Sequence, residues 1–538
     1  MKIVLISTYM YPVALGMRYV SAFLKQAGHQ VVCLHISSKR DKMIELTHSL
    51  KDDVVDHCED ADVIGISLMT NSFYRACELT ELLRTSGNKA PIVWGGTHAT
   101  VAPEESAEVA DYVCVGEGER SFLEFLEVLE QGGDPGSVRG FAHKRNGEFV
   151  CNEPYPLTDN LDDYPFPDYE LNGHWVAEEN NMVPAQVELL RGVVRRYRMS
   201  STRGCPYSCT FCNNATQMQI YKDAGYGKLW VRRRSAESII AELEHIQNMF
   251  PTVEEVNLID DLFLVRDEEE LEQFVRAYRE RVDLPLEIDV FPNLVDENKI
   301  QILSQLPISL ISMGIQSGSQ NTLFKIYHRP TKTDKVAEAI QTISSRRLPA
   351  EYHYLVNNPF ESDDNRLETL RFAAKHHRGP AKLRIFPLQF YPGSVMYRQA
   401  REAGVIGQRH AAAYEGHYHT KRYFAQANYL EIWLPVVLRL RGMGVPSGIV
   451  NAMVGVIGNP VVRRLIDRRW FPPVSFQLYR AGHLLHKNLI HKPFVKPFQS
   501  IAKRKKKKAM RKRLANVSTA QANPKDSKQE NQCSKMAG

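Results

Sequence analysis

Residues 203–212 read Arg203-Gly204-Cys205-Pro206-Tyr207-Ser208-Cys209-Thr210-Phe211-Cys212, and the rest of the chain is organised around them. Cys205, Cys209 and Cys212 form a C-x-x-x-C-x-x-C pattern on a loop shaped by Gly204 and Pro206. Three thiolates on one short loop can bind three irons of a four-iron, four-sulfur cluster, because soft sulfur ligands favour iron–sulfur chemistry. The fourth iron then stays open to a substrate or cosubstrate. A zinc site wants four ligands, and the loop offers neither a histidine nor a fourth cysteine. A disulfide framework does not fit an odd number of clustered cysteines with Cys33, Cys58, Cys77, Cys114, Cys151 and Cys533 scattered along the chain.

Outward from the loop, short apolar runs alternate with helical patterns. Residues 193–202 read as a strand leading into the cysteines, followed by strands at 255–259, 286–291, 308–315, 351–356 and 383–390. Helices are predicted at 235–249, 267–278, 333–345 and 366–375. In the first of these Ser235 is the cap, and Ile239, Ile240, Leu243 and Ile246 form an apolar stripe. Six strands with intervening helices predict a partial (β/α)6 barrel, active at the carboxyl ends of its strands. The polar residues there are Asp260 and Asp261 after the second strand, Gln316 and Ser317 after the fourth, and Glu361 after the fifth.

Upstream, strands at 2–8, 29–35, 61–68, 90–95 and 111–115 alternate with helices at 14–27, 76–83 and 121–131. This predicts an α/β domain with a doubly wound parallel sheet over residues 1–143. Ligands sit beyond the carboxyl ends of such strands, where this chain places Ser67, Thr70, Gly95 and Gly96. The segment 116–119 (GEGE) lies there too, but Glu117 and Glu119 would repel a phosphate. Residues 144–192 are polar and proline-punctuated and read as a linker, with a hairpin at Asn146-Gly147.

The cysteine loop resembles the cluster motif of the radical S-adenosylmethionine enzymes. Residues 1–143 resemble the cobalamin-binding domain that precedes the barrel in many of them. The domain order resembles the subgroup containing anaerobic magnesium-protoporphyrin ester cyclases and cobalamin-dependent methyltransferases. The resemblance implies three cofactors: a 4Fe-4S cluster, S-adenosylmethionine and cobalamin. It implies that Phe211 lies by the adenine, Asp260 and Asp261 near the amino group, and Gln316 near the ribose, with Ser317 beside it as a further cofactor contact. It places Glu361 in a segment shaping the adenine pocket. Ser67, Thr70, Gly95 and Gly96 would receive the cobalamin nucleotide tail. The histidine motif D-x-H-x-x-G is absent, which implies no histidine below the cobalt. The activity implied is methyl transfer to an unactivated carbon through a 5′-deoxyadenosyl radical. Radical oxidative cyclisation or rearrangement is one alternative, and a cobalamin- or redox-sensing module is another. The partners implied are a small-molecule substrate and an electron donor such as flavodoxin or ferredoxin.

The bulk properties add limits. A chain of 538 residues exceeds one core. Nine basic residues crowd into 503–513, more than the whole net excess of +6, so the charge belongs to a tail and not to a specific nucleic-acid surface. Scattered cysteines and no signal-peptide pattern predict a cytoplasmic protein. After the barrel (193–400), residues 401–500 read as mainly helical, and 501–538 as a basic, disordered tail. The stretch 425–437 is predicted helical up to Pro435. The stretch 447–462 is apolar, but Asn451, Gly455, Gly458 and Pro460 weaken it as a membrane span. Arg463, Arg464, Arg468, Arg469, Trp470 and Phe471 follow it; the region reads as a small helical cap over the barrel mouth, and the pattern also suits peripheral membrane contact or a lipophilic substrate.

Overall fold

The computed structural model describes residues 1–9, 12–36, 45–378, 381–407, 411–414 and 428–466. Met10 and Tyr11, the start of the 425–437 stretch, Trp470 and Phe471 with the arginines beside them, and the basic tail lie outside the described residues.

The first sheet is built on β1 (Lys2–Ser7), β2 (Gln30–His35), β3 (Val63–Ser67), β4 (Ile92–Gly95) and β5 (Tyr112–Cys114). These are parallel, in the spatial order β5-β4-β3-β1-β2. Their runs are apolar without alternation because both faces are buried. Val4 and Ile6 pack with Leu34, Ile64 and Trp94. Ile3 and Leu5 pack on the other face with Leu24, Phe122 and Phe125, from the helices Leu15–Gln26 and Gly118–Glu130.

The sheet extends further than the five-strand pattern. β6 (Phe141–Arg145) and β7 (Glu148–Cys151) form the hairpin expected at Asn146-Gly147 and add antiparallel to β5. Both turn residues have positive φ, 52° and 85°, as a tight hairpin turn requires. At the opposite edge, β8 (His174–Glu178) pairs parallel with β2, and β9 (Asn181–Pro184) pairs antiparallel with β8, giving nine strands. Residues 144–192 are therefore not a bare connector. β8 is held by a buried network rather than by a long apolar run. The Asp168 carboxylate accepts from His174 Nε2 at 2.9 Å and from Ser21 Oγ at 2.5 Å, and it pairs with Lys25 at 2.8 Å.

The second sheet has six parallel strands in the order β10-β13-β14-β15-β16-β17. They are β10 (Arg196–Met199), β13 (Glu255–Leu258), β14 (Leu286–Val290), β15 (Ile308–Gln316), β16 (Ala350–Val356) and β17 (Lys382–Pro387). A small ribbon, β11 (Thr202–Arg203) with β12 (Arg232–Arg233), flanks the cysteine loop. This is the six-strand arrangement the pattern predicts, with β10 and β17 at its edges among the described residues. The helix Ala236–Met249 covers it with Ile239, Ile240, Leu243 and Ile246 buried, and Ser235 Oγ accepts from Ser238 N at 3.1 Å.

Beyond the barrel, the helices Tyr429–Gly442 and Ser447–Ile457 pack on Asp363–His376. The first continues through Pro435 instead of stopping there. Proline in a helix costs a backbone hydrogen bond. Here a capping box between Asn428 and Glu431 starts the helix, and the burial of Leu430, Leu434, Val437 and Leu438 offsets that cost. Among the described residues no helix is long and apolar enough to cross a membrane.

Candidate active site

The cysteine loop is held on several sides. Gly204 has φ 88°, and a Cβ there would lie 2.1 Å from the Trp230 carbonyl oxygen, so the position admits only glycine. Trp230 Nε1 donates to the Cys205 carbonyl at 2.8 Å. Thr210 N donates to Tyr327 O at 3.0 Å, and Thr210 Oγ1 to Ile326 O at 2.8 Å. Cys212 N donates to Cys209 O at 3.0 Å, and Cys212 caps the helix Asn213–Asp223.

Burial pushes the Cys205 thiol up to about 12 and that of Cys212 up to about 11, and it raises Cys209 as well. Three thiolates in this partly buried, desolvating setting therefore need a compensating cation, which iron supplies. Arg329 completes the surroundings. It is 6% exposed, hydrogen-bonds Cys209 and feels all three sulfurs. Its Nη2 donates to Gly314 O at 2.7 Å, and its guanidinium lies 4.0 Å from the centre of the Phe291 ring. Tyr207 stacks on the same ring, 4.1 Å from Phe291. Arg329 Nε has no hydrogen-bond partner. An orphaned, buried guanidinium nitrogen beside three thiols fits an anionic iron–sulfur cluster.

The predicted polar residues fall into two groups. Asp261 lies near Cys205 and Cys212 and hydrogen-bonds Asn214; protein packed around its otherwise open edge pushes its carboxyl up to about 6. Phe211 meets Tyr327 edge-on at 5.0 Å and lines an apolar pocket of about 270 Å³ with Leu355, Phe386, Leu388 and Tyr391. Gln316 ends β15 at φ 69°, a left-handed conformation unusual for glutamine, with its amide turned back over Gly314 beside Arg329. Asp260 is different: it ties down the backbone ahead of the cysteines. It accepts from Ser201 N at 2.6 Å, from Thr202 N at 2.9 Å and from Ser201 Oγ.

Ser317 and Glu361 belong to a second, buried network. Ser317 Oγ accepts from Ser319 N at 3.1 Å, shares a hydrogen bond with Thr369 Oγ1 at 2.9 Å and reaches Glu361 at 3.4 Å. Burial pushes the Glu361 carboxyl up to about 7, with Thr322, Glu431 and Arg366 as its other neighbours. That network faces the helices Asp363–His376 and Tyr429–Gly442.

A separate cavity of about 350 Å³ opens at the carboxyl ends of the first sheet. Ser67, Gly95 and Gly96 line it; Thr70 does not, and instead hydrogen-bonds His98 Nδ1 at 3.2 Å. The walls are kept thin by glycine. A Cβ on Gly96 would lie 2.7 Å from Leu68 O, and one on Gly65 would lie 2.8 Å from Leu5 Cδ2. No histidine lines the cavity among the described residues. Ser200, Arg203 and Gln217, from the surroundings of the cysteine loop, close its far side. A glycine-walled cradle that reaches the cluster loop fits a large, flat cofactor placed beside the cluster. Arg329, Arg203, Glu117 and Glu119 were not singled out as site residues from sequence. The two glutamates were visible only as an objection to phosphate.

Comparison with known proteins agrees with this geometry. Residues 1–126 match the B12 binding domain and residues 199–373 the radical SAM superfamily. An uncharacterized methyltransferase from Pyrococcus horikoshii is 26% identical over 344 residues, covering 63% of this chain and 70% of the relative. The cytidylyl-2-hydroxyethylphosphonate methyltransferase of Streptomyces wedmorensis is 24% identical, covering 65% of this chain and 69% of its own length. An anaerobic magnesium-protoporphyrin IX monomethyl ester cyclase from Rubrivivax gelatinosus is 22% identical, covering 66% of this chain and 60% of its own. Among solved structures, the radical S-adenosylmethionine methyltransferase TsrM from Kitasatospora setae, with cobalamin and a [4Fe-4S] cluster bound, shares the fold. Its TM-score is 0.58 at 15% identity, over 75% of each chain. With a glycine-walled cavity on the first sheet and three cysteines on the loop beside it, this chain is a radical SAM superfamily protein that carries a B12 binding domain ahead of its barrel.

Proposed function

We propose that the protein is a methyltransferase that acts on an unactivated carbon of a small-molecule substrate. One observation carries the reading: Ser200 and Arg203, flanking the cysteine loop, line the same cavity as Ser67, Gly95 and Gly96. The two cofactor sites therefore adjoin in one chain. When bound, S-adenosylmethionine and the cluster supply a 5′-deoxyadenosyl radical, and cobalamin supplies the methyl group. The chain's own residues position these groups. Cys205, Cys209 and Cys212 hold the cluster, and Arg329 balances its charge. Phe211 with Leu355, Phe386 and Leu388 forms an apolar wall for the adenine. Asp261 is next to the cysteines and is the nearer candidate for the amino group. Gln316 keeps its assignment to the ribose; Ser317 and Glu361 support that end of the barrel from behind.

A one-electron donor of flavodoxin or ferredoxin type completes the reading. We also propose contact with a membrane surface, since Ile449, Val456 and Val461 are 63%, 61% and 66% exposed on neighbouring helices and a basic run follows in the sequence. Radical cyclisation is the second reading, favoured by the similarity to the cyclase.

The test is anaerobic incubation of reconstituted protein with S-adenosylmethionine and a reductant. Release of 5′-deoxyadenosine is expected, and none from the Cys205→Ala/Cys209→Ala/Cys212→Ala variant. Product mass then separates the readings. A gain of one methylene unit supports methyl transfer, whereas loss of hydrogen without added carbon supports cyclisation.

A further inference from the structure

The two glutamates of the 116–119 segment, which exclude a phosphate, meet the cysteine loop. Arg203 Nη2 donates to Glu119 Oε1 at 2.6 Å, and Arg203 Nη1 pairs with Glu117 Oε2 at 3.1 Å. Arg232, from the strand paired with Arg203, also binds Glu117, and its Nη1 donates to Thr158 O at 3.1 Å. Glu117 N donates to Tyr221 Oη at 2.9 Å. The Arg203 guanidinium lies 5.2 Å from the Tyr19 ring centre and 5.1 Å from that of Tyr164. Glu119 and Arg232 are each 4% exposed, while Arg203, Glu117, Glu119 and Tyr19 face the cavity. Two cations and two carboxylates cancel, so the cluster of charges suits burial, and losing one partner would strand another. Against burial, Glu119 and Glu117 hold Arg203 above its ordinary range, and Arg203 and Arg232 hold Glu117 below its own.

The position of Arg203 gives this clamp a consequence. It stands two residues ahead of Cys205, and Gly204 between them packs against the Trp230 carbonyl with no room for a Cβ. A displacement of Arg203 therefore moves the first cluster ligand. We propose that Arg203, Glu117 and Glu119 act as positioning residues that make cofactor binding in the cavity and cluster binding on the loop mutually cooperative. This rests on the cobalamin and cluster assignment above. An occupant that packs against Arg203 fixes the loop in its ligating form, and an assembled cluster fixes the wall that the occupant needs. Linkage requires one factor in both directions.

The experiment uses the full-length chain. Hydroxocobalamin affinity is measured with and without the reconstituted cluster, and iron affinity, by competition with a chelator, is measured with and without hydroxocobalamin. A reciprocal enhancement of about fivefold or more is expected, the lower end of typical coupling. Glu119→Gln and Arg203→Lys should bring the factor towards one, whatever either substitution does to the affinity for each cofactor alone. A merely structural role would weaken both affinities and leave their ratio unchanged. Equal affinities with and without the second cofactor in the wild type would overturn the coupling. A factor retained in both variants would overturn the clamp as its cause. Absence of hydroxocobalamin binding in every state would overturn the cofactor reading itself, and the coupling with it.

Discussion

Replacing Cys205, Cys209 and Cys212 together with alanine removes every thiolate of the loop. The wild type should hold about four irons per chain after anaerobic reconstitution and the triple variant none; full iron in the variant would remove the cluster from this loop. Arg329 gives a finer test. Its buried charge stabilises the more negative, reduced form of the cluster, so Arg329→Gln should move the midpoint potential to a more negative value. A redox titration followed by electron paramagnetic resonance reads that shift, and an unchanged midpoint would show that the guanidinium does not act on the cluster. The contrast between these residues explains what was legible. The cysteines declare themselves because their chemistry and their spacing are both local. Arg329 reaches Cys209 only because the segment after β15 folds back over the loop, and no local pattern records that. Asp260 was found at the right strand end, but its carboxylate is engaged by Ser201 N and Thr202 N. Only the fold shows that its near contacts are the backbone and hydroxyls of residues 200–202.

At the scale of elements, the contact between Asp363–His376 and Tyr429–Gly442 should depend on pH. Burial raises Glu361 to about 7 from an ordinary value of 4.5. A carboxyl raised in the folded state binds its proton more tightly there than when unfolded. Native stability is therefore lost as pH rises from about 4.5 to 7 and is flat above. Glu361→Gln removes this dependence and should gain on wild type as pH rises through that window, by up to roughly 3 kcal/mol above it. Thermal melts of both proteins at pH 5 and pH 8 measure it; a constant difference between them would mean that Glu361 does not titrate in this window. The same elements show where pattern reading ran out. Proline inside an apolar run reads as a stop at Pro435, yet the capping box and the buried stripe carry the helix past it. β8 and β9 are only five and four residues long, too short for an apolar alternation to stand out, and His174 is held by hydrogen bonds.

At the scale of the whole molecule, the order of the domains was legible because parallel strands buried on both faces leave a strong apolar signature. The contact between the domains was not, since Arg203 meets Glu117 and Glu119 across a long stretch of sequence. The missing D-x-H-x-x-G motif carries a spectroscopic expectation; among the described residues, none that lines the cavity is a histidine. Bound cob(II)alamin should show no nitrogen superhyperfine coupling from an axial ligand below the metal; a resolved axial nitrogen signal would contradict it. Membrane contact is tested by flotation with anionic liposomes, comparing the full chain with one ending at Ile501. Each basic residue near such a surface contributes about 1 kcal/mol, screened by salt. Binding should weaken in high salt and on truncation, and its absence at every salt concentration would dismiss the membrane. The central claim, methyl transfer by adjoining cofactor sites, is tested most directly by the origin of the methyl group. Cells expressing the protein anaerobically with cobalamin are fed methionine carrying a trideuterated methyl, and extracts are compared with cells expressing the triple cysteine variant. The account predicts a compound that appears only with the wild type and carries all three deuterons in an added methyl group. A wild-type-specific product formed without the deuterated methyl group would contradict it.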